Sequence, residues 1–131
     1  MRAYERLLNY VKVWTTSDEE STTSPTKARQ FDLAKLLLEE MKGMGIEDAM
    51  MDEYGYVYGH IPATPGYENC TAIGFLAHMD TAPDYSGKDV KPQIIPDYDG
   101  GDVRLNGTGA MLKVSDFPTL KDLKGRTLIT T

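Results

Sequence analysis

Residues 72–84 read Ala72-Ile-Gly-Phe-Leu-Ala-His-Met-Asp-Thr-Ala-Pro-Asp84. The first six, Ala72 to Ala77, are apolar throughout, the pattern of a central strand covered by helices on both faces. The run gives out on His78 and Asp80, two residues apart. In an extended strand residues i and i+2 point to the same face, with Cα atoms about 6.5 Å apart. An imidazole and a carboxylate would then share a face just beyond the C-terminal end of the strand, where ligand sites gather in open α/β sheets. This stretch sets the expected fold class: α/β, with helices packed on a mixed β-sheet.

Spacing alone leaves two readings of the pair. In one, His78 ligates a transition metal, and Asp80 either takes the second ring N–H or is itself a ligand. In the other, His78 caps a strand and Asp80 opens an Asx-turn before Pro83. An isolated H-x-D is short and common, so the pattern by itself does not decide between them.

Outward from this stretch, the chain alternates helix and strand signals without internal repeats. Tyr4, Leu7, Leu8, Val11 and Trp14 fall at helical spacing and predict a first helix. The segment "TTSDEESTTSPT" (15–26) reads as a loop. Its Ser24-Pro25 is the N-cap and first-turn pair expected to open a second helix. There Phe31, Ala34, Leu37, Leu38 and Met41 would face inward, with Gly43 or Gly45 ending the helix. Strands are predicted at Glu47 to Met51 and Tyr56 to Ile61, joined by a turn over Asp52 to Gly55. From Pro83 to Pro118 the chain is rich in Gly, Pro and Asp and should hold short strands at best. The last stretch, "GRTLITT", reads as a strand ending without turn or cap, as in a chain cut in mid-domain.

Composition narrows the class. With 131 residues, 40% hydrophobic and 26% charged, the chain fits one soluble domain. A net charge of −6 argues against a nucleic-acid partner, because phosphate binding needs clustered Lys and Arg. The clusters at Lys88 to Lys91 and Lys121 to Arg126 are interrupted by acids and read as solvated surface. Cys70 is the single cysteine, so no internal disulfide can form, which points to a reducing compartment and a cytoplasmic location. The N-terminus has no signal-peptide core. No apolar run approaches the roughly 20 residues of a membrane span, so no membrane partner is expected and the sequons at Asn69 and Asn106 read as chance matches.

Other candidate sites are weaker. His60, in "YVYGHIPA", reads as a strand-end surface residue. Asp97 to Asp102, "DYDGGD", has its glycine misplaced for a calcium loop and lacks the bidentate Glu, so it reads as a turn. "GTGAM" at 107–111 lacks the third glycine and following helix of a dinucleotide loop. Asp18-Glu19-Glu20 reads as solvated loop, and Cys70 has no His partner that would make it a nucleophile.

"HMDTAPD" behind an apolar strand resembles the first metal-site motif of the M20 family of co-catalytic zinc peptidases. Within that family the chain is most similar to the tripeptide aminopeptidases, over essentially its whole length. The likeness is carried by the Ser24-Pro25 segment with "LAKLLLEEMKGMGIED", by "DTAPDYSGKDVKPQI", by "YDGGD" at 98–102 and by the closing "LKGRTLITT". The resemblance implies that His78 is a zinc ligand and that Asp80 is the catalytic-site carboxylate holding its ring. It implies two zinc ions per active site and short peptides as substrates. Residues 1–131 would be the N-terminal portion of the catalytic domain. The bridging aspartate, the Glu-Glu pair, a further Asp and His, and a lid or dimerisation domain that could make the parent a homodimer would lie beyond Thr131. On this reading the chain alone is inactive. A related M20 dipeptidase or deacylase is the nearest alternative, and a non-catalytic α/β module keeping His78 and Asp80 only as structure is the more distant one.

Overall fold

Helix α1 spans Ala3–Tyr10, shorter than the apolar spacing predicts. Glu5 accepts the Arg2 backbone N–H at 2.7 Å, which fixes its start. It stops before Trp14, whose indole is drawn into other bonds: Nε1 donates to the Thr16 hydroxyl at 3.1 Å, and the Arg29 guanidinium lies 3.8 Å from the ring centroid. The stripe from Tyr4 to Trp14 is therefore helical only in its first part. The computed structural model describes all residues, 1–131, and they gather into two compact units. One is Met1–Lys12 with Asp89–Thr131, and the other is Val13–Lys88.

In the second unit, helix α2 runs from Gln30 to Gly43. It opens five residues after Pro25, not on the Ser24-Pro25 pair. The Gln30 side chain is the reason, since it donates to the Thr15 carbonyl at 3.0 Å and bonds the Thr26 hydroxyl at 3.2 Å, holding the preceding residues in turns. The C-terminus follows expectation: Gly45 takes φ 87°, where a side chain would be strained, and its N–H returns to the Lys42 carbonyl at 2.9 Å. Leu33, Ala34 and Ala49 form the buried apolar core of this unit. Ala34 was expected to face inward; Phe31, Leu37, Leu38 and Met41 are only half-buried.

The hairpin is as the sequence predicts, with shorter strands. β1 (Met50–Met51) pairs antiparallel with β2 (Val57–Tyr58). The Asp52 carboxylate accepts the backbone N–H groups of Tyr54 and Tyr56 at 3.0 and 2.9 Å, an Asx-type turn that Gly55 completes at φ 84°. A side chain at Gly59 would overlap Met41 and Ile46, so glycine lets the strand end lie close against α2.

In the first unit, β3 (Gln93–Ile95) pairs antiparallel with β6 (Leu128–Thr130), the strand read in "GRTLITT". β4 (Val103–Arg104) pairs antiparallel with β5 (Met111–Leu112), and a 3₁₀ helix covers Pro118–Leu123. Asp97 to Asp102 is a turn, as read, with the Gly101 N–H donating to Asp99 at 2.8 Å. "GTG" is the β4–β5 turn, closed by Leu105 N–H to Ala110 C=O at 2.8 Å. Tyr98, 3% exposed, and Val103, 4% exposed, are its buried apolar residues.

Helices and strands together are compatible with an α/β class, but the mixed central sheet is not formed. Three separate two-stranded antiparallel pairs stand in its place. Ala72 to Ala77 takes no ladder partner, and Ile73, Phe75 and Leu76 are 79%, 95% and 98% exposed. The physical reason is that a strand apolar on both faces needs neighbours on both edges and helices above and below. No segment among these residues supplies the adjoining ladder.

Tyr98 carries a pH prediction. Burial pushes its phenol above the ordinary 10.0, with Asp99 and Asp102 adding to the shift. A raised folded value favours the neutral phenol, so its contribution to stability is fully present below about pH 10 and is lost as pH rises through the raised value. Its hydroxyl donates to the Gly101 carbonyl. The denaturation midpoint, followed by circular dichroism, should fall on the alkaline side of pH 10. Tyr98→Phe should remove that part of the fall, and an unchanged alkaline slope would exclude the role.

Candidate functional site

His78 and Asp80 lie in a stretch that forms no strand, and their side chains nevertheless meet. Nδ1 of His78 lies 3.2 Å from Oδ1 of Asp80. An ionised carboxylate can only accept, so Nδ1 carries the hydrogen and donates it. In the neutral ring the lone pair is then on Nε2, directed away from the aspartate. The His78 side chain is 84% exposed and that of Asp80 45%, so Nε2 is open to an approaching ligand. The only side-chain bond of Asp80 is this one, in place of the Asx-turn that was the competing reading.

A histidine whose Nδ1–H is given to a carboxylate is the usual arrangement of a metal-bound imidazole. The pair therefore fits one zinc ligand and its orienting carboxylate. A catalytic zinc takes three protein ligands, and no group of three or more His, Cys, Asp or Glu in the chain is gathered to hold a metal ion.

The other candidates lie apart from this pair. His60 sits with Gly45, Glu47, Asp48 and Pro62 around an open depression of about 390 Å³, its backbone N–H donating to Asp48 at 2.9 Å. Cys70 is exposed and free. Asp18 is in an ion pair with Lys27. That hydrogen bond, with a second from the Glu20 N–H, holds its carboxyl below the ordinary range, while Glu19 and Glu20 are exposed, as the sequence reads.

Sequence reading missed the partners of the residue after Asp80. The Thr16 hydroxyl lies 3.2 Å from that of Thr81, and the two residues form an isolated parallel bridge. The Thr81 carbonyl accepts the Ser17 backbone N–H at 3.0 Å and the Ser17 hydroxyl at 3.1 Å. No periodicity links positions 65 apart, and "TTS" carries no signal beyond that of a polar loop.

No family model matches the chain. Among curated proteins its relatives are peptidases, and the similarity runs nearly end to end. Those relatives are peptidase T from several bacteria. The chain is 52% identical over 129 residues to peptidase T of Alkaliphilus oremlandii, covering 97% of this chain and 32% of that protein. It is 52% identical over 128 residues to peptidase T of Geobacillus thermodenitrificans, covering 97% and 31%. To peptidase T of Caldanaerobacter subterraneus it is 49% identical over 131 residues, covering 99% and 32%. The resemblance carried by the motifs is thus a resemblance to peptidase T along almost the whole chain, which spans about a third of the length of these relatives. No helix is long and apolar enough to cross a membrane.

Proposed function

We propose that residues 1–131 are the N-terminal part of the catalytic domain of a zinc-dependent aminopeptidase that releases the N-terminal residue of tripeptides. The observation that carries this reading is the identity of about half, over 97% of the chain, to peptidase T. The His78–Asp80 hydrogen bond gives the reading its chemistry. Zinc, when bound, polarises a carbonyl and lowers the pKa of a bound water. His78 would hold one ion through Nε2. Asp80 accepts the hydrogen bond from Nδ1–H, fixes the tautomer, and keeps the ring from turning its protonated nitrogen to the ion. The bridging carboxylate, the remaining ligands and the general base would come from beyond residue 131. The parent would act in the cytoplasm on short peptides, as a homodimer.

Substrate choice tests the reading. The zinc-loaded full-length parent should require a free α-amino group and cleave tripeptides faster than dipeptides or N-acylated peptides. Rates on matched substrate sets measure this directly. Faster hydrolysis of N-acyl amino acids would move the assignment to a deacylase.

A further inference from the structure

We propose that Thr16, Thr81 and Gly87 form a positioning knot that holds the His78–Asp80 pair in its metal-binding orientation. This rests on the reading of His78 as a zinc ligand, and it assigns a role to residues outside the H-x-D motif. Thr16 is 7% exposed. Its hydroxyl oxygen accepts the Trp14 Nε1–H at 3.1 Å and the Gly87 backbone N–H at 3.1 Å. A hydroxyl has two acceptor lone pairs and one proton. Both lone pairs are taken, so the proton goes to Thr81 Oγ1, 3.2 Å away. With Ser17 bonded twice to the Thr81 carbonyl, the residue directly after Asp80 is fixed at both its side chain and its backbone.

The anchoring segment is itself tied down. Arg29 donates from Nη2 to the Thr16 carbonyl at 2.5 Å while stacking on Trp14. Gln30 holds the Thr15 carbonyl at 3.0 Å. These two residues stand at the start of α2, so the knot links the site to a regular element. Gly87 closes it from the other side: a Cβ there would lie 2.7 Å from Thr16 Oγ1 and 2.8 Å from Thr81 Oγ1. Only glycine brings the backbone N–H close enough without wedging the hydroxyls apart. On the opposite flank Ala72 to Ala77 takes no ladder bonds, so in this chain the restraint on His78 and Asp80 comes through Thr81.

The test is made on the full-length parent, with zinc alone as the probe in chelator competition. The cobalt-substituted protein's visible spectrum is the second readout, and kcat and KM at saturating zinc the third. Thr81 is an exposed residue, so Thr81→Val should leave folding intact. It is expected to weaken zinc binding about tenfold, within the range typical of groups behind a metal ligand, and to shift the cobalt spectrum with KM unchanged. Thr16→Val and Gly87→Ala should do the same, and Thr16→Ser, which keeps the hydroxyl, should restore wild-type affinity. If His78→Ala binds zinc as wild type does, the metal reading fails and the knot with it. If His78→Ala loses zinc while Thr81→Val keeps wild-type affinity and spectrum, the knot alone is wrong. Should Thr16→Val fail to fold, Thr81→Val still decides.

Discussion

His78→Ala in the full-length parent is expected to abolish peptide hydrolysis and remove a bound zinc, with a thermal unfolding midpoint close to that of the metal-free parent. The side chain is 84% exposed, so its removal from this chain costs little apolar burial. Its one hydrogen bond, to Asp80 at 3.2 Å, joins two exposed groups, and such pairs contribute little to stability. What the substitution removes is Nε2, the atom proposed to hold the metal. Asp80→Ala leaves that nitrogen in place but frees the ring to rotate and the proton to move to Nε2. Losses of about 10–100-fold in metal affinity or activity follow when such a partner is removed. Asp80→Asn should be nearly as damaging, because its amide can offer a donor where an acceptor is needed. Metal content, turnover and thermal unfolding on the same preparations separate chemistry from folding. Near-normal turnover of either alanine variant with zinc supplied would show that the site lies elsewhere.

Equally large is the difference expected between the 131-residue chain and its parent: the chain should hydrolyse no tripeptide and bind zinc only weakly. His78 offers one imidazole, and Asp80 stands behind it as the orienting carboxylate. No group of three or more potential ligands is assembled around them, against the three that a catalytic zinc requires. The nucleophile and the polarised carbonyl depend on the metal pair and the base, neither of which the resemblance places within residues 1–131. The exposed run at Ile73, Phe75 and Leu76 adds a practical expectation, because an unpaired apolar strand invites self-association. Zinc titration by calorimetry and a tripeptide assay on the purified chain measure both halves. Stoichiometric tight binding, or turnover that a chelator and His78→Ala both abolish, would reveal a complete site within this chain.

Local chemistry explains why some of this could be read in advance. Asp52 to Gly55 turns the chain because an aspartate caps its own neighbours and a glycine accepts positive φ, both properties of adjacent residues. The end of α2 at Gly45 and the pairing strand in "GRTLITT" are legible for similar reasons. His78 and Asp80 meet across only two positions, so their contact needs no distant partner. The likeness to peptidase T was legible too, since it lies in ordered motifs rather than in any contact.

Long-range partners decided the rest. Trp14 leaves the first helical stripe because Arg29 and Thr16 hold its ring, and α2 opens late because Gln30 reaches back to Thr15. "AIGFLA" has the composition of a central strand, yet a strand of that kind exists only through its neighbours, and none of these residues pairs with it. Thr16 meets Thr81 across 65 positions, a contact that no local pattern encodes because only the closed chain brings the two hydroxyls together. The sequence by itself determined that an imidazole and a carboxylate stand two residues apart at 78 and 80. The tertiary structure decided which distant segment bonds the residue that follows them, since Thr16 and Ser17 reach Thr81 only in the folded chain.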